Sequence, residues 1–147
     1  MRKFLRFSLF ALFPLFLTAC QTTPVSPQAE FKQLEEWDKR ATMLTEQNAV
    51  GDEPDIAQLT AYHQAVVEIE KSLSQLKFKH PDIIKLHQEQ LHTIRGSMLL
   101  LSKSLEAMKN PATADPGYFQ WLSEGLEEQG EKYNTLYREM YLRYHTE

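Results

Sequence analysis

At 147 residues with a formal net charge of −4, the chain has material for one domain with a real core but not for two. Its acidity, with no basic stripe to override it, argues against a nucleic-acid or anionic-lipid binder. A single cysteine excludes an intrachain disulfide framework, so stability has to come from packing.

Arg2, Lys3 and Arg6 precede an apolar run, Phe7 to Leu17, interrupted by Pro14. The run falls well short of the ~20 apolar residues needed to cross a bilayer core. Basic residues followed by a short apolar stretch read as a cleaved signal peptide. Leu17-Thr18-Ala19-Cys20 closes it, and these four residues resemble the lipobox of bacterial lipoproteins. That resemblance implies a type II signal peptide spanning 1–19, cleaved just before Cys20. It also implies acyl chains such as palmitate on the cysteine's sulfur and amine. Two or more chains anchor a protein stably where one does not. Gln21 resembles an outer-membrane sorting address in Gram-negative bacteria. The expected location is therefore the periplasmic face of the outer membrane, with no cofactor other than the covalent lipid on Cys20. Three of the chain's 16 cations lie in the leader, so the remainder is more acidic still.

Residues 20–29 carry two prolines and no periodicity. They read as a tether reaching ~30 Å at most, which keeps the folded domain, 30–147, close to the membrane. Four helical segments are predicted, over 28–48, 54–78, 82–109 and 116–145. Each opens on a proline (Pro27, Pro54, Pro81, Pro116), the residue tolerated at the first helical position. Ser26 and Asp115 supply N-cap side chains. Apolar residues recur at steps of three and four: Phe31, Leu34, Trp37, Ala41, Leu44; then Ile56, Leu59, Tyr62, Val66, Ile69, Leu73, Leu76; then Ile84, His87, Leu91, Ile94, Met98, Leu101, Leu105, Met108; then Phe119, Leu122, Leu126, Tyr133, Tyr137, Met140, Tyr144. This is the stripe of a bundle core. Short connections make successive helices antiparallel neighbours. The expected fold is all-α, an up-down four-helix bundle, with a first helix too short to cover the others.

Catalytic or metal chemistry has little to stand on. Glu89 and His92 form one Glu-x-x-His, where a di-metal bundle site needs two such pairs and further glutamates. His87 sits on the apolar stripe as a core or end-of-bundle residue. Met43 and His145 fall at opposite poles of an up-down bundle, which defeats them as axial haem ligands. No nucleophile–base pair stands out, so a non-enzymatic role is expected, with catalytic and metal residues both none.

The fourth helix carries Tyr133, Tyr137, Tyr141 and Tyr144 along adjoining faces, with Tyr118, Phe119 and Trp121 at its start. That arc is wider than one core contact needs, and aromatic residues are enriched on partner-binding surfaces. Trp121, Tyr133, Tyr137 and Met140 are the candidate lining of a groove for a protein partner at the outer membrane. Gly125 and Gly130 mark either a close helix approach or a kink. In size, anchor and helix content the chain resembles the helical pilotins. These are small lipoproteins that capture a segment of a secretin subunit and carry it along the lipoprotein sorting route. The resemblance implies an accessory or assembly factor taking a partner helix into its groove. The alternatives are a surface-exposed lipoprotein acting in exclusion, immunity or adhesion, and a bundle binding a small ligand or metal.

Overall fold

A computed structural model describes residues 25–51 and 53–145. The protein is an all-α bundle of four helices: α1 (Pro27–Gln47), α2 (Ile56–Gln75), α3 (Pro81–Lys109) and α4 (Pro116–His145), with a single 3-10 turn, Pro111–Thr113, between the last two. Cys20 and the lipobox residues Leu17, Thr18 and Ala19 lie outside the described residues.

The helix starts follow local chemistry. Ser26 caps α1 through its hydroxyl, which accepts from the Ala29 amide, and Pro27 is the first helical residue. Asp115 caps α4, accepting from the Tyr118 amide at 3.1 Å. The second helix departs from expectation. Pro54 lies outside it, because Asp55 and Gln58 form a reciprocal capping box that starts the helix at Ile56. Such a box satisfies two otherwise orphaned donors, which outweighs proline's preference for the first position. The same helix ends at Gln75, short of the expected 78. The amides of Lys79 and His80 donate instead to the Glu30 carboxylate, at 2.9 to 3.1 Å.

Helix α3 runs through the middle of the molecule. It packs along α2 on one side and α4 on the other, the backbones of α2 and α4 stay apart, and α1 contacts all three. At 1.5 Å per residue α3 and α4 are ~45 Å long and α1 only ~31 Å. One end is therefore closed by four helices. There Phe31, Leu34, Trp37, Ile69, Leu73, Ile83, Leu86 and Met140 form the core. Burying a leucine or isoleucine fully contributes about 1.5–3 kcal/mol.

The stripe expected on α3 is displaced. Ile83, Leu86 and Gln90 are buried, whereas Ile84, His87, Leu91 and Ile94 are half-buried and Met108 is exposed. A helix flanked by three others buries a broad arc, and the chosen stripe follows only one edge of it. The fourth helix runs unbroken through Gly125 and Gly130, and a Cβ at either would meet nothing within 4 Å. The close approach is at Gly96 on α3, where a Cβ would stand 2.7 Å from Leu126 Cδ2 of α4.

The described chain begins at the closed end. The carbonyl of Val25 accepts from His80 Nε2 at 2.7 Å, which ties the start of α1 to the α2–α3 connection. Arg143 near the end of α4 pairs with Asp82 at the start of α3. Toward the opposite end α2 and α3 are joined by Ser102 Oγ and His63 Nε2, 3.0 Å apart.

Candidate functional site

The four candidate groove residues do not form one surface. Met140 is 3 % exposed and belongs to the closed core. Tyr137 packs on Phe31, ring centroids 5.6 Å apart. Its hydroxyl donates to Glu35 Oε1 at 3.1 Å. Burial, and then the Glu35 carboxylate, push that phenol up to about 12. Tyr133 lines a cleft between the helices, and burial raises its phenol further. Trp121 is 65 % exposed and stacks on Tyr118, 5.8 Å between centroids, near the start of α4. That places Trp121 at the open end, far from Tyr137 and Met140. The fourth helix is so aromatic because its tyrosines pack against the closed core and, separately, it carries a stacked aromatic pair near its start.

Tyr133 belongs to a cleft lined by all four helices. The cleft begins where the closed core stops, at Trp37 and Ile69, and opens along α1. It encloses about 280 Å³, with Trp37, Ala41, Tyr62, Val66, Ile94 and Tyr133 as its apolar and aromatic walls. Asp38 and Gln90 are its polar floor. Gln90 Nε2 donates to Asp38 Oδ1 at 3.1 Å, while Gln90 Oε1 is buried without a partner. Burial, followed by repulsion from Glu35, holds the Asp38 carboxyl above its ordinary value. Nothing in the local sequence around Trp37-Asp38-Lys39 distinguishes this aspartate from a solvated one. Only the tertiary packing shows it.

The histidines are placed by hydrogen bonds. His87 Nε2 donates to the carbonyl of Leu73 at 2.8 Å and meets Phe78 edge-on, so it closes the last turn of α2. His145 Nε2 lies 3.0 Å from both Glu35 oxygens. Glu89 pairs with Lys132 of α4 at 2.7 Å, while His92 is exposed. Met43 is exposed on α1 and His145 lies at the far end of α4. Among the described residues no group of three or more His, Cys, Asp or Glu side chains is placed to hold a metal ion. None of the described helices is long and apolar enough to cross a membrane.

Large apolar side chains left exposed concentrate toward the open end: Met43, Ile56, Leu99, Met108 and Trp121. Val25, Tyr141 and Leu142 are exposed near the closed end. No family model matches the chain, and no curated protein or solved structure shows significant similarity to it.

Proposed function

We propose that this chain is a lipid-anchored accessory protein that holds a partner protein at the periplasmic face of the outer membrane. The anchor is the acylated Cys20 and the binding surface is the open end of the bundle. One observation carries this reading: the most exposed large aromatic residue among the described residues, Trp121, stands at the pole opposite the one where Val25 leads toward Cys20. A short tether then presents the closed end to the bilayer and the open end to the periplasm. Exposed Val25, Tyr141 and Leu142 suit the bilayer-facing side, since amphipathic tyrosines favour such boundaries. Exposed apolar side chains at the open end suit contact with protein.

Because Tyr137 and Met140 pack in the core, the contact we propose is Trp121 with its neighbour Tyr118. Two experiments test the reading. Replacing Cys20 with serine should release the protein from the membrane fraction, and continued sedimentation with membranes would sink the anchor. A photo-crosslinking residue at position 121 should trap a defined protein in living cells, and one at the outward-facing Glu36 of the closed end should not. Equal trapping at both positions, or at neither, contradicts the placement of the surface.

A further inference from the structure

We propose that the cleft between the four helices is a binding site for an organic cation, an ammonium group carried on a short apolar chain. The proposal does not rest on the partner-protein reading. It rests on a carboxylate that the fold leaves without a counter-charge. The carboxylates that are partly or fully buried are Glu30, Glu35, Asp38, Glu70, Asp82 and Glu89. Glu30 takes the amides of Lys79 and His80, and Glu35 takes His145 and Tyr137. Glu70, Asp82 and Glu89 pair with Arg95, Arg143 and Lys132. Asp38 has one neutral amide donor and, among the described residues, no ion pair.

The surroundings of Asp38 are those of a cation receptor. The cleft has room for a small alkyl chain, at about 280 Å³. Trp37, Tyr62 and Tyr133 line it, and aromatic faces attract cations. Gln90 is 5 % exposed and its Oε1 has no donor, so the floor also lacks an N–H that an ammonium group carries. The Tyr133 hydroxyl, at the same cleft, makes no hydrogen bond within the described residues. An unpaired carboxylate in an apolar setting costs stability, and a bound cation offsets that cost.

The test uses the full-length protein in phospholipid nanodiscs and follows its two indole N–H resonances. Trp37 lies in the cleft and Trp121 is the internal control. Addition of n-hexylammonium should shift the Trp37 signal saturably and leave Trp121 unmoved, while n-hexanol should do so at least tenfold more weakly. Asp38→Asn keeps an acceptor for Gln90 and removes the charge. It should weaken binding by roughly tenfold or more while leaving the melting temperature unchanged or higher. Equal binding of amine and alcohol, equal binding by the variant, or no saturable shift overturns the proposal. A capped lysine added in a parallel series identifies the source. Tighter binding of hexylammonium assigns a free amphiphilic amine, and tighter binding of capped lysine assigns a protein side chain.

Discussion

The two ends of this bundle are built differently. At the end where α1 begins, four helices close on one another, and apolar side chains from each are buried. Polar ties reinforce it: Glu30 to the α2–α3 connection, Trp37 Nε1 to Ser72 Oγ at 2.8 Å, and Arg143 to Asp82. At the other end α1 has run out. Leu59, Leu105 and Leu122 are buried there, and other apolar side chains face outward. The shorter α1 and α2 thus divide one fold into a four-helix foot and a less covered head. Most of the core lies in the first, and the second leaves more apolar surface exposed.

The comparison can be broken most decisively in the core. Leu73→Ala or Leu86→Ala at the closed end should cost about 3–5 kcal/mol, measured by urea unfolding. Leu122→Ala at the open end should cost nearer 2 kcal/mol, because its site can partly collapse or hydrate. Equal costs would erase the distinction. Next in size is Glu30→Ala. It leaves the amides of Lys79 and His80 without their acceptor, and each buried unpaired donor costs about 1–3 kcal/mol. The same substitution should speed hydrogen exchange at those two amides.

The glycines give a sharper, smaller test. Gly125→Ala and Gly130→Ala enter open space in a helix and should stabilise by up to ~1 kcal/mol. Gly96→Ala pushes against Leu126 and should come out at least about 1 kcal/mol less favourable than either. If all three stabilise equally, α3 and α4 are not held in close register. The smallest effect is electrostatic. Burial raises the phenols of Tyr133 and Tyr137 in the folded state. Between the ordinary tyrosine value, about 10, and the value of about 12 for Tyr137, the unfolded chain loses its protons first. Stability should therefore fall as pH rises through that window. Tyr137→Phe should flatten the fall, as read from melting temperature against pH.

The helical architecture was legible in the sequence because its signals are local. Pro27, Pro81 and Pro116 mark helix starts, and apolar steps of three and four mark the buried faces. The failures lie where a distant residue decides. Helix α2 stops early because His87 takes the Leu73 carbonyl and Glu30 takes the Lys79 and His80 amides, partners that no local window contains. The α3 stripe was misplaced because a central helix has no single inner face. Gly96 carries a local signal, a lone glycine inside a long apolar-periodic run, but its partner Leu126 lies on another helix. The aromatic residues of α4 serve two ends: Tyr137 packs on the core and Trp121 stands on the surface. Asp38 became a candidate only when folding placed aromatic walls around it and no cation beside it.

Amide hydrogen exchange along the intact protein tests the division into foot and head most directly. The slowest amides should cluster around Leu34, Ile69, Leu73 and Leu86, exchanging only through global unfolding. Those of 99–109 and 118–126 should exchange earlier, through openings that leave the foot intact. Protection that is uniform along α3 and α4, or greatest at their open end, would contradict the account.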